Sequence, residues 1–220
     1  MEQVLDIVLG ILVVAAVMWG SIVFVSFAQS LSFKQSKLKP LDNDTPPDQS
    51  HIWAAGSGFE FVGNFRHGSV YIAGWEHTKR PSFFCEYRIQ QKMFYDMVTT
   101  FADEMSLTTG STKEGNLTPK PPGHYHQTFS NLSLEQLWEK HVEAENYLVE
   151  KAGVKPPDVV LTFEDEITTA VQKELAYHKT IPLYHFRVPW WYFVRRNRLH
   201  NKTIRQQHES GIITLPNEIQ

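Results

Sequence analysis

The chain has 220 residues, enough for one domain of ordinary size with an anchor and tails but short for two domains with separate cores. A formal net charge of -3 gives no overall preference for nucleic acid, and 20% charged against 42% hydrophobic residues is a globular balance. The single cysteine, Cys85, excludes an intrachain disulfide and a multi-cysteine zinc site, so stability has to come from packing.

From Ile7 to Phe33 no residue is charged, and Ile, Leu, Val and Ala dominate the stretch from Val8 to Val25. A helix of about 20 such residues crosses the hydrocarbon core, with every backbone polar group bonded inside the segment. Residues 1–33 are therefore expected to form a transmembrane anchor. A cleaved signal peptide is the competing reading, with Ser26 and Ala28 as a passable cleavage site. Against it stand the acidic Glu2 and Asp6 where a leader carries basic residues, the length of the apolar run, and the lysines that follow it. Lys34, Lys37 and Lys39 lie just past the helix, so the positive-inside rule puts the N-terminus outside the cell membrane and the C-terminal domain in the cytoplasm.

Residues 34–51 are polar, carry Pro40, Pro46, Pro47 and the Asp42-Asn43-Asp44 cluster, and read as a linker. A single domain is expected over residues 52–180. Aromatic and β-branched runs between turn signals predict strands at Phe59–Phe65, Ser69–Trp75, Ser82–Gln90 and Met93–Phe101. Connections as short as Arg66-His67-Gly68 and Lys79-Arg80-Pro81 force antiparallel neighbours, hence a β-meander. Val70, Ile72 and Gly74 alternate with Tyr71, Ala73 and Trp75, so both faces of that strand carry apolar groups. Thr109–Gly123, rich in Gly, Thr, Pro and Lys, reads as a long exposed loop, and His124–Phe129 as a further short strand.

Two helices follow. Ser133 with Gln136 makes a capping box, with Gly153 as left-handed terminator and Pro156 and Pro157 beyond. The second opens at Thr162, with Glu164, Asp165 and Glu166 complementing the dipole, and runs to about His178. The predicted fold class is α+β: an N-terminal transmembrane helix, then one domain with an antiparallel meander and two C-terminal-side helices.

On the first helix, His141 and Glu145 fall inside the apolar stripe of Leu134, Leu137, Trp138, Leu148, Val149 and Ala152; on the second, Glu174 and His178 fall on the inner face. If the helices lay side by side, these four ligand-type residues would converge, with His124 and His126 on one face of their strand as further candidates. Such a set suits zinc or a similar metal, and an open coordination position would activate water. The competing account is structural: i, i+4 His and Glu pairs are commonly satisfied contacts, and no H-E-x-x-H spacing is present. Cys85, in the apolar run Phe83-Phe84-Cys85, reads as a core residue. No nucleophile elbow and no G-x-x-x-x-G-K-[ST] or G-x-G-x-x-G motif occurs.

The segment 181–220 combines Trp190, Trp191, Tyr192 and Phe193 with Arg195, Arg196 and Arg198, and no acidic residue lies between Lys179 and Gln207. Aromatic rings beside arginines suit a membrane interface with anionic lipid, and the segment is too short and polar to cross the bilayer. The alternatives are a buried last strand or helix, or base stacking on nucleic acid, which the acidic preceding helices disfavour. The function expected is a membrane-tethered, non-enzymatic binding or scaffold protein with an unidentified protein partner and a cytoplasmic-facing domain. The alternative is a metal-dependent hydrolase with a His/Glu site between the two helices.

Overall fold

The computed structural model describes residues 2–35, 38–42, 45–159 and 161–218, and for Glu2 and residues 29–35 the backbone alone. Lys37, Asn43 and Asp44, used above for orientation and for the linker, lie outside the described residues, as does the Lys34 side chain. The first element is a continuous helix, α1 (Glu2–Gln35). Its stretch Gln3–Ala28 has a mean hydropathy of 2.7 and is long and apolar enough to cross a membrane.

After the two-residue strand β1 (Lys39–Pro40) comes an element not foreseen, α2 (Asp48–Gly56). It falls on the end of the polar stretch because a helix this short buries only Ser50 and Ala54, one turn apart, which leaves no visible periodicity. Four strands then form the expected meander: β2 (Phe59–His67), β3 (Val70–His77), β4 (Ser82–Ile89) and β5 (Lys92–Thr100).

Beyond β5 the structure departs from the prediction. Ser106–Gly110 forms β6, antiparallel to β5, and β7 (His124–Thr128) lies beside β6 in parallel. The described residues thus form a seven-stranded mixed sheet in chain order rather than a purely antiparallel one. Parallel neighbours cannot be joined by a tight turn, so residues 111–123 cross back over the sheet and carry a 3-10 turn, Lys113–Asn116. Because this crossover packs on the sheet, Asn116 is buried, which corrects the reading of an exposed loop.

Helix α3 (Leu134–Ala152) has the predicted capping box at Ser133 and Gln136, and Gly153 stops it at φ 65. It covers one sheet face, where Trp75, Phe84 and Met97 meet Leu137 and Trp138. The core continues through Leu107, Ala144, Leu148, Ile204 and Leu215. Helix α4 (Phe163–Thr180), capped by Thr162, covers the other face, where Phe163 packs on Phe65, Ile72, Phe83 and Cys85. Alternation along β4 sends Phe83 and Cys85 to α4 and Phe84 to α3, so the sheet separates the two helices. Gly74 is what lets α4 approach: a Cβ there would come within 2.4 Å of the Phe163 ring.

The C-terminal segment is helical: α5 (Tyr184–Trp190), a π-helical turn (Trp191–Arg195) and α6 (Arg196–Leu199), then α7 (Ile204–Glu209). It closes the β7 edge, since Gln127 accepts from the Ile204 N–H at 2.9 Å and Gln207 donates to the His126 carbonyl at 3.0 Å. Arg196 is buried between Glu114, at 2.7 Å, and the Tyr192 ring, whose centroid is 3.8 Å away.

Candidate functional site

The sheet keeps apart the residues that sequence reasoning wanted to unite. His141, under α3, is fully buried between Thr99 and Thr109, whose hydroxyls lie 2.8 and 2.9 Å from its two ring nitrogens. Burial holds its pKa down to about 3, so the ring is neutral at pH 7. Glu145, raised by burial and opposed by Arg80, reaches that guanidinium at 3.4 Å. Glu174 and His178 project from α4 towards the opposite face, so the site between two adjacent helices does not form. The physical reason is the sheet itself: α3 and α4 are consecutive in sequence but occupy different layers. Among the described residues no group of three His, Cys, Asp or Glu side chains is placed to hold a metal ion.

Beneath α4, by contrast, polar groups gather. Glu174 accepts from Lys120 at 2.8 Å and from Thr118 at 3.2 Å, and His178 Nε2 lies 3.6 Å from the same carboxylate. Burial alone would raise the Glu174 pKa, but the Lys120 ammonium and these hydrogen bonds outweigh it and hold the carboxyl low. His178 is lowered by burial against the opposing pull of Glu174, and its Nε2 is buried without a hydrogen-bond partner. Asp96, on β5, is raised by burial to about 6 with Lys120 opposing.

His124 and His126 also lie on this face, yet each is already engaged: His124 with Ser106 at 2.8 Å and His126 with Asn116 at 2.9 Å. From Asn116 the chain of hydrogen bonds continues to Thr128, His200 and Ser130. Burial pushes His126 down to about 3. These contacts tie the crossover, β7 and α6 together, a structural task.

A deep concavity adjoins the polar cluster. A groove of about 910 Å³ is bounded by α1 at Val17 to Ser26, by α4 at Val171, Leu175 and His178, and by α5 with the turn after it. Ser26 Oγ lies 3.0 Å from His185 Nδ1 and the Phe27 ring stands edge-on to the same imidazole, which docks α1 on α5. Tyr184 packs between His178, tilted against its ring, and Trp191, edge-on to it, joining the groove to the domain.

The residues proposed for a membrane interface divide. Trp190 and Arg198 are exposed, Tyr192 and Arg195 are half-buried, and Trp191 and Arg196 are buried. The exposed apolar face of the segment is instead Leu183 (71%), Phe186 (61%), Trp190 (57%) and Phe193 (43%), spaced three and four residues apart on a helix. Leu183 and Phe186 belong to the same aromatic segment but stand outside its dense Trp-Trp-Tyr-Phe run, which is what composition singles out. The 3.6-residue period was the signal that would have found them. Lys120 was missed because it lies among prolines in a stretch read as loop. Asp96 was legible in principle, as an acid at a strand position whose neighbour in period two, Val98, faces the core. Comparison with known proteins adds no relative: no family model, curated protein or solved structure matches the chain.

Proposed function

We propose that this chain is a single-pass membrane protein whose α+β domain is a non-enzymatic binding or scaffold module, facing the cytoplasm and held flat against the bilayer by α1 and α5 together. The observation that carries the reading is the exposed apolar stripe Leu183, Phe186, Trp190 and Phe193 on the element that docks onto α1. Such a stripe in water is costly, whereas at headgroup depth aromatic and aliphatic side chains are favoured. The basic residues Lys179, Arg187 and Arg198 are exposed on the same segment, where anionic lipid would attract each by about 1 kcal/mol. Lys39 is the only residue of the orienting lysines whose side chain is described, and it too is exposed.

The test is co-sedimentation of residues 38–218 with anionic vesicles, fold checked by circular dichroism. The domain is expected to sediment, and the triple variant Phe186→Ser, Trp190→Ser, Phe193→Ser to stay in the supernatant with its fold intact. A folded parent domain that ignores the vesicles would overturn the reading.

A further inference from the structure

We propose that the groove between α1, α4 and α5 is a binding site for one phospholipid of the surrounding leaflet. Its acyl chain would lie against Val17, Ile22, Val171 and Leu175, and its phosphate at the end marked by His178 and Lys179. The inference deepens the membrane reading and rests on α1 crossing the bilayer.

Four observations lead to it. The groove's volume of about 910 Å³ lies within the ~300–1,000 Å³ range of small-molecule sites. Its walls change character along one direction: on α1 they are apolar from Val17 to Val25 apart from Ser21, whose hydroxyl donates to the Val17 carbonyl at 2.8 Å, and turn polar at Ser26, which holds His185. A fully apolar cleft would accept any hydrocarbon, but this one ends in groups that recognise a headgroup. At that end two groups have donor capacity to spare: His178 Nε2 is buried with no hydrogen bond, Glu174 standing 3.6 Å away, and Lys179 forms no ion pair among the described residues. Glu174, the acid nearest to them, is already neutralised by Lys120, so the exposed charge at the mouth is positive and suits a phosphate.

The position of α1 then selects the occupant. The window that is apolar enough to cross a membrane covers Gln3–Ala28, about 39 Å of helix against a hydrocarbon core of ~30 Å, so the part lining the groove reaches from the core to the headgroup level. A cleft open at that depth is filled from the leaflet. The groove follows α1 for only about 14 Å, too short to seat a partner helix crossing the whole core.

The experiment uses the full chain in nanodiscs containing phosphatidylglycerol with a photo-reactive diazirine on one acyl chain, followed by mapping of the adducts. Adducts are expected in residues 17–25 and 171–193. Leu175→Trp should abolish those of the groove while leaving adducts on the outward face of α1, and Lys179→Glu, an exposed change that disturbs no contact, should deplete them. Adducts confined to Val4–Val14 and unaffected by either variant would overturn the site while leaving the span intact. Cross-linking of two chains by a bifunctional thiol reagent through a single cysteine introduced on the groove wall, with no lipid adducts there, would overturn it in favour of a second copy. Carbonate extraction of the same samples separates the two levels: a chain released by carbonate does not span, and both readings fall.

Discussion

Phe163 and Gly74 form the joint on which the α4 layer rests, and their coupling can be worked out from the structure. A Cβ at Gly74 would sit 2.4, 2.5 and 2.8 Å from three atoms of the fully buried Phe163 ring. Ordinary contact begins near 3.4 Å, so the ring would have to withdraw by about 1 Å, and no flexible side-chain end is available to yield. Overpacking of this kind costs about 1–3 kcal/mol, more than the ~0.5–1 kcal/mol that alanine gains over glycine within a strand. Phe163→Ala should cost about 3–5 kcal/mol, through lost burial and the cavity left behind. In the double variant the new methyl group enters the space the ring has vacated, so its total should stay close to that of Phe163→Ala alone. Urea denaturation of the full chain in micelles, followed by near-ultraviolet circular dichroism, measures all four corners of the cycle. Additivity within ~0.5 kcal/mol would refute the proposed contact.

Other consequences are equally specific. His141 and His126 are held down to about 3 by burial, against an ordinary histidine value of 6.5, so the folded state binds fewer protons than the unfolded one. Their contribution is complete above pH 6.5 and is lost as pH falls towards 3, roughly 2–3 kcal/mol per ring by pH 4.5, and His141→Gln should flatten that slope in pH-dependent urea melts. Lys120→Met leaves the Glu174 carboxylate without its cation; because that side chain is about a third exposed, the expected loss is only about 1 kcal/mol, cancelled by adding Glu174→Gln in a double-mutant cycle. Cys85 is buried and its thiol is pushed up by burial, so maleimide labelling should wait for denaturant. Rapid labelling of the native chain would contradict the packing of that face.

The elements legible in the sequence were those with a strong local signature. The four central strands were bounded by turns, the capping box at Ser133 and Gly153 framed α3, and the apolar run of α1 required no context. The alternation of Ile72 and Gly74 with Ala73 and Trp75 even anticipated that both sheet faces would be covered. What escaped was set by partners distant in sequence. Ser106–Gly110 reads as a turn-rich run and becomes a strand only because β5 and β7 flank it. The four metal candidates on α3 and α4 each sit on the helical face that the periodicity indicates, but nothing local says that the sheet passes between those helices. Trp191 and Arg196 resemble their exposed neighbours in composition, and they are buried only because Tyr184 and Glu114 are there to receive them. The groove was invisible because three of its walls come from opposite ends of the chain.

The account stands most directly on where the α5 stripe lies relative to the bilayer. Because Cys85 is buried, a cysteine introduced at Leu183, Phe186 or Phe193 can carry a spin label alone, and power saturation with oxygen and a nickel chelate in nanodiscs reports its depth. The account predicts labels at these positions to be oxygen-accessible and shielded from nickel, with a label at the exposed Val149 of α3 showing the reverse. Labels on the stripe that are as open to nickel as the one at Val149 would mean that α5 faces water, and the domain would then be tethered by α1 alone.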